Sequence, residues 1–275
     1  MSEATAATTG TIGCELSFEV TAAATVALAV TAHRQPATGR LVAETAGGPV
    51  APDEVRGSWE AGGRLHLLHV PPGRVTIGYH APLAPQQPAT AAAVTPLDRI
   101  VALRPSRYCP SDRLGGFAAA RFGGHGDPGD AVRAICDYVH RHTTYTVGAS
   151  GPGTDAAETL MSGAGVCRDY AHLTVTLCRA LDIPARVVAV YAPGLSPMDF
   201  HLVAETALAD RWYVWDATRL APRQSMVRIA TGRDAADVAF ATTIEGFLEM
   251  TGMSVWAVAP GDLPVDDHQG LAALH

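Results

Sequence analysis

Three residues of this 275-residue chain, Cys167, His201 and Asp216, have the types and settings that nucleophilic chemistry needs. Cys167 follows Gly163-Ala164-Gly165-Val166 and stands where a helix is predicted to begin. The free N–H groups and dipole of a first helical turn favour negative charge, so a thiol held there is readily drawn to its thiolate. Gly165 close before it lets the backbone pass tightly and leaves room for a substrate to reach sulfur. His201 and Asp216 fall on consecutive predicted strands joined by a short turn near Ala207 to Asp210. A turn centred between Leu208 and Ala209 sets the two side chains directly opposite each other. A turn centred between Ala209 and Asp210 makes them diagonal neighbours on one face, still within reach. Asp216 would then accept the proton on one imidazole nitrogen and fix the tautomer that lets the other nitrogen deal with the thiol.

The elements that must position these groups are legible as patterns. From about Gly13 to Arg104, short alternating segments (Glu15–Val20, Arg64–Val70, Arg74–Tyr79) are punctuated by Gly47-Gly48-Pro49, Gly62-Gly63 and Pro71-Pro72-Gly73, which predicts a small β-rich domain. The Pro-, Ala-, Gln- and Thr-rich stretch Ala81 to Pro96 reads as a linker or long surface loop. Beyond it, Val132, Ile135, Cys136 and Val139 recur at helical spacing behind Asp130, a reasonable N-cap. A second helix is predicted from Cys167 to about Leu181, where Tyr170, Leu173, Leu177 and Leu181 share a stripe and Asp182-Ile183-Pro184 ends it. Strands are then expected at Arg186–Tyr191, Phe200–Leu208 and Arg211–Asp216. Helices first and antiparallel strands after give an α+β class without Rossmann alternation. The remainder from Ala241 holds a strand-like Met253–Val258 and an acidic tail expected to fray.

Composition narrows the chemistry. With 48% apolar and 17% charged residues, the chain can build a core and is not disordered. All 20 basic residues are Arg, so there is no Walker lysine, no pyridoxal Schiff base and no lysine nucleophile. A formal charge of -7 without Arg runs argues against nucleic acid. The five cysteines, Cys14, Cys109, Cys136, Cys167 and Cys178, are odd in number and scattered, which reads as reduced thiols. No paired Cys/His spacing suits structural zinc. Met1–Thr11 lacks the basic start of a signal peptide, and the apolar run Val20–Ala32 is too short to span a bilayer, so a cytoplasmic protein of bacterial type, with no membrane partner, is expected.

Taken in order, Gly165-Val166-Cys167-Arg168-Asp169-Tyr170-Ala171-His172, Leu181-Asp182-Ile183-Pro184-Ala185-Arg186, Asp199-Phe200-His201 and Trp212-Tyr213-Val214-Trp215-Asp216-Ala217-Thr218 resemble the bacterial transglutaminase-like family. Pro105-Ser106-Arg107-Tyr108-Cys109-Pro110-Ser111-Asp112 resembles that family's opening segment. The good match covers roughly residues 104 to 240. The resemblance implies a papain-like α+β core of helices packed on an antiparallel sheet over residues 105–275, preceded by a β-rich domain over residues 1–104. It implies Cys167 as nucleophile, His201 as general base and acid, and Asp216 as the orienting group. The shared chemistry is attack on an amide or peptide to give a thioester that passes to water or an amine, without metal or organic cofactor. The chain departs from the family pattern at Leu202-Val203, where many relatives have Ala-Trp, so a wall of the substrate cleft is expected to differ. A binding protein that keeps the fold without catalysis is the rival reading, and a metal-dependent hydrolase lacks a ligand set.

The other polar residues have plainer expectations. Cys136 and Cys178 read as small buried hydrophobes, and Asp169 as a helix cap. His172, five residues beyond Cys167, points away from the sulfur and reads as a packing residue. His140-Arg141-His142 closes a helix, where cations suit the dipole. Gly123-Gly124-His125-Gly126 lacks the context of a phosphate cradle. Arg219, Arg223, Arg228 and Arg233 either pair with Asp234, Asp237 and other surface acids or form a pocket for a substrate anion, and the sequence leaves the two open.

Overall fold

The computed structural model describes residues 9–34, 36, 38–55, 63–85 and 88–274. Gly62 of the expected Gly62-Gly63 turn, and most of the Met1–Thr11 stretch read as lacking a signal, lie outside these residues.

The first half of the chain forms β1 (Gly10–Leu28), β2 (Arg40–Thr45), β3 (Gly48–Val50), β4 (Asp53–Val55), β5 (Leu65–Val70) and β6 (Gly73–Leu83). Alternation drives it: Ile12, Cys14, Leu16, Phe18 and Val20 of β1 are buried on one face, as are Val75, Ile77, Tyr79 and Ala81 of β6. The sheet order is β3-β2-β6-β1-β5-β4. The expected linker is shorter than the composition suggested. β6 runs to Leu83, because Ala81 and Leu83 still pair with Ile12 and Gly10. Farther on, Trp212 N–H donates to the Ala92 carbonyl (2.9 Å) and Val94 N–H to the Asp210 carbonyl (3.0 Å), stitching the segment to a later hairpin.

Next come α1 (Pro96–Ala102), α2 (Gly115–Phe122), α3 (Pro128–His142), β7 (Thr144–Tyr145), α4 (Ala156–Ser162), β8 (Ala164–Gly165) and α5 (Cys167–Arg179). The cap of α3 is Asp127, not Asp130. Its Oδ1 accepts from the N–H groups of Gly129 (2.8 Å) and Asp130 (3.1 Å). Pro128 occupies the first helical turn, where its missing N–H costs nothing, so the capping side chain must precede it. From Asp169 to Arg179 every residue of α5 is buried. Arg179 is tolerated there because its guanidinium donates to the carbonyls of Ala185, Arg104 and Arg233.

The second sheet consists of β9 (Ala185–Tyr191), β10 (His201–Leu208), β11 (Arg211–Trp215) and β12 (Val227–Gly232), in the antiparallel order β11-β10-β9-β12. Helix α5 packs against β9 and β10, while α3 and α4 pack against α5. This mixed α+β architecture of helices on an antiparallel sheet agrees with the sequence reading. The two sheets meet through Tyr191, whose ring stacks on Tyr79 and whose hydroxyl donates to the Val30 carbonyl at 2.6 Å.

The last strand, β13 (Ala241–Val258), contains the expected Met253–Val258 but is 18 residues long and pairs antiparallel along the whole of β1. The mostly exposed residues after it are anchored at several points, contrary to the expected frayed tail. Asp266 takes a bidentate pair of bonds from Arg223, both at 2.8 Å, Val214 N–H donates to the Ala272 carbonyl, and Leu274 is buried.

Within the second sheet, Glu205 lies fully buried between Arg186, directly opposite on β9, and Arg228. Burial opposes its charge, but Arg228 and then Arg186 outweigh it and hold the carboxyl down to about 2. Removing one member of such a group strands the others, at a cost of about 3–5 kcal/mol. Glu205→Gln is therefore expected to lower the urea midpoint sharply at neutral pH. A folded-state pKa below the unfolded value means that the contribution is present above about 4.5 and fades as pH falls toward about 2. Urea titrations across that window check both points: the gap between wild type and variant must close on acidification.

Candidate active site

Cys167 is the first residue of α5, and the start of that helix is built around Asp169. The Asp169 Oδ2 accepts from Val166 N–H (2.8 Å) and from the Ser150 hydroxyl (2.5 Å), the capping role expected of it. Gly165 has a reason besides the one read in the sequence. A Cβ there would meet the Asp169 side chain at 2.5–2.9 Å, so the glycine makes room for the cap.

His201 opens β10, and its hairpin with β11 turns at Ala209 and Asp210, both in the left-handed region (φ 46° and 58°). Leu208 pairs with Arg211 and Ala204 with Trp215. The turn is thus centred between Ala209 and Asp210, and His201 and Asp216 are the diagonal pair. His201 Nε2 stands 2.9 Å from Asp216 Oδ2, with both side chains essentially out of solvent. The other oxygen, Oδ1, accepts from the Thr218 N–H (2.9 Å) and hydroxyl (2.7 Å). Helix α3 braces this corner: His140 Nδ1–H donates to the Ala217 carbonyl at 3.0 Å, and Arg219 pairs with Asp137.

Burial opposes a positive imidazole at His201, but the Asp216 carboxylate outweighs it and raises the pKa well above the usual histidine range, with the Cys167 sulfur adding to the effect. The reverse holds at Asp216, where burial is outweighed by His201 and Thr218 and the carboxyl is held low. Among the described residues, no side chain or backbone group within ordinary hydrogen-bond geometry reaches the buried His201 Nδ1. The half-buried Cys167 thiol is close enough to the His201 ring to act on its charge, and its S–H is directed at the carbonyl of Phe200, 3.9 Å away. Cys167 and His201 both line one cavity of about 400 Å³, together with Tyr108, Arg168, Asp199 and an otherwise apolar wall. Leu202 is part of that wall, whereas Val203 packs into a separate cluster with Val188 and Val214. Of the two departures from the family pattern, only the first therefore reaches the cleft.

Tyr145 has no counterpart in the sequence reading. The parallel pairing of β7 with β8 sets Tyr145 beside Gly165, two residues before Cys167, close enough for the Cys167 charge to act on its phenol. Burial pushes the phenol up to about 12, with the Cys167 charge adding to it, so it keeps its proton. A two-residue strand leaves no periodicity to read in the sequence.

His172 is buried, as expected of a packing residue. Its Nε2 accepts from Ala235 N–H at 3.0 Å and its ring stacks on Tyr108 at 5.2 Å. Burial holds its pKa down to about 3, so the ring is neutral and can accept that bond. His142 stacks on Tyr138 within the end of α3. The four arginines after Asp216 all have carboxylate partners: Arg219 with Asp137, Arg223 with Asp266, Arg228 with Glu205 and Arg233 with Asp237. Arg223 and Arg228 are buried and not on the surface.

The described residues hold no helix long and apolar enough to cross a membrane. A model of the Transglutaminase-like superfamily matches residues 117–217, from α2 through Asp216. An uncharacterised protein of Mycobacterium leprae is 28% identical over 148 residues, 50% of this chain and 52% of that one, so the chain spans about half the length of this curated relative. The crystal structure of a candidate cysteine protease from Cytophaga hutchinsonii is similar over 96% of this chain and 95% of its own, at 31% identity and a TM-score of 0.83. The periplasmic domain of TgpA from Pseudomonas aeruginosa is 18% identical, with a TM-score of 0.42 over 78% of this chain and 88% of that one. A match that spans Cys167, His201 and Asp216, together with a relative similar almost end to end, places this chain in the transglutaminase-like superfamily.

Proposed function

We propose that this protein is a cysteine-dependent amidase or peptidase in which Cys167, His201 and Asp216 act as a triad. The observation that carries the reading is the buried His201–Asp216 pair, which occupies Nε2, leaves Nδ1 without another partner among the described residues, and lies on a ring that the Cys167 sulfur is close enough to influence. Asp216 accepts the Nε2–H bond, so Nδ1 is the nitrogen that takes the proton of the thiol. The Cys167 thiolate adds to the amide carbonyl carbon, forming a C–S bond and an oxyanion. The N–H groups at the start of α5 and the Tyr145 hydroxyl are the donors that receive it. Collapse breaks the C–N bond, and the departing amine takes the proton from His201. Water then gives a proton to Nδ1 and attacks the thioester, which releases the carboxylic acid and regenerates the thiolate. Water is taken as the acceptor because it is the default where nothing excludes it, and Cys167 is only half-buried. A reducing compartment, the cytoplasm, fits a mechanism that needs a free thiol, and all five cysteines are unpaired.

Iodoacetamide at neutral pH tests the assignment. One equivalent is expected on Cys167, faster than on a free thiol. The other four should resist, since burial pushes Cys14 up to about 11, Cys109 and Cys136 up to about 12, and Cys178 well above the usual thiol range. Labelling of Cys167 no faster than a free thiol, with a Cys167→Ala protein unchanged in every property, would favour a binding protein that merely keeps the fold.

A further inference from the structure

The cavity beside Cys167 is walled mainly by carbon. Ala189 of β9 and Leu202 of β10 line it, with Ile229 of β12. The stretch that leaves the second sheet adds Ala236, Val238 and Phe240, and Phe240 lies flat on Phe200 with ring centroids 5.0 Å apart and planes 14° from parallel. Met253 completes the wall from β13, a strand of the other sheet. Besides His201, the charged groups that touch the cavity, Arg168 and Asp199, are each partly engaged by the chain itself. An Arg168 Nη2–H donates to the Gly151 carbonyl while the guanidinium lies over the Tyr108 ring, and Asp199 Oδ1 accepts from Phe200 N–H at 2.7 Å. A glutaminyl or charged group entering this space would lose water and find no partner on the carbon wall. A branched or aromatic side chain would gain by burial, and about 400 Å³ is room enough for one.

We propose that this cavity is the specificity pocket for the acyl side of the substrate, that it selects leucine- or phenylalanine-like side chains over glutaminyl and charged ones, and that Met253 forms its outer wall. The proposal rests on the acyl-transfer reading of Cys167. It also gives the first sheet a part in catalysis, since one strand of that sheet supplies a pocket residue.

The test uses the whole protein and the 4-nitrophenyl esters of N-acetylated Leu, Phe, Gln, Asp and Lys, each rate divided by that of the same ester with N-acetylcysteine. The thiolate adds to the ester carbonyl, the C–O bond breaks, and 4-nitrophenolate leaves with the electron pair and is counted by absorbance. The Leu and Phe esters should acylate Cys167 at least about 10-fold faster than the other three, the size of discrimination an apolar pocket gives. Met253→Gln and Ala236→Asn make two exposed residues from separate segments polar without adding charge. Each should erase most of that preference while iodoacetamide, which is small and uncharged, still labels Cys167 at the wild-type rate. Fast labelling combined with a flat or charge-favouring ester series, with no acylation by any ester, or with variants that keep the preference, overturns the pocket alone. Labelling no faster than a free thiol overturns the acyl-transfer reading, and the pocket falls with it.

Discussion

Cys167→Ala is expected to lower kcat/KM on any amide or ester substrate by at least about 10⁴-fold, with an unfolding midpoint close to that of the wild type. The size follows from what is removed: without sulfur there is no covalent intermediate, and only binding and the donors at the start of α5 are left to stabilise an oxyanion. Little stability should be lost, because the thiol is half-buried and its one bond, to the Phe200 carbonyl, is a weak S–H contact of 3.9 Å. His201→Ala should cost a similar factor, and the double variant scarcely more than either single one, since a nucleophile and its base act as a unit. Steady-state rates for the four proteins, with a thermal melt of each, form the test. More than a tenth of wild-type activity in Cys167→Ala would mean that another group carries the reaction.

The parts of this site that the sequence made legible are those fixed by local rules. The period of Tyr170, Leu173 and Leu177 marked the central helix, the Gly-rich run before Cys167 marked its start, and Asp182-Ile183-Pro184 marked its end and the passage to the strands that follow. Which of two hairpin registers would hold depended on the two residues able to adopt positive φ, and neither Ala209 nor Asp210 carries the Gly signature that would have settled it. What stayed hidden is set by contacts across long stretches of chain. Nothing in residues 241–258 says that they return to pair with β1, and nothing near Arg223 says that Asp266, 43 residues later, will neutralise it. The same holds for the cleft, whose wall draws on both sheets. One reason for Gly165 was hidden in the same way: the side chain that needs the space belongs to Asp169, folded back over it by the helix start.

Asp216→Asn is the more discriminating substitution, and its expected cost is a kcat lowered about 10²–10⁴-fold with the fold intact. The reason lies in the other side of the carboxylate. Thr218 presents two donors, its N–H and its hydroxyl, to Oδ1. An asparagine in this place must keep its carbonyl oxygen toward Thr218, because turning the amide would set N–H against two donors. The NH2 group then faces His201 Nε2, which has to become the acceptor, and the ring proton moves to Nδ1. That nitrogen, beside Cys167, now holds a proton instead of a lone pair and cannot take the one on sulfur. Loss of the carboxylate also removes the charge that raises the His201 pKa, so a thiolate–imidazolium pair is less favoured at neutral pH. Iodoacetamide labelling of the variant should accordingly slow at pH 7 by about 10-fold or more and recover as the pH is raised and the thiol ionises on its own. Asp216→Glu, which restores the charge but displaces it by one methylene, should recover the labelling rate better than the turnover rate. An Asp216→Asn enzyme with more than half the wild-type kcat, or with an unchanged pH profile of labelling, would show that the carboxylate orients nothing and that His201 sets its own tautomer.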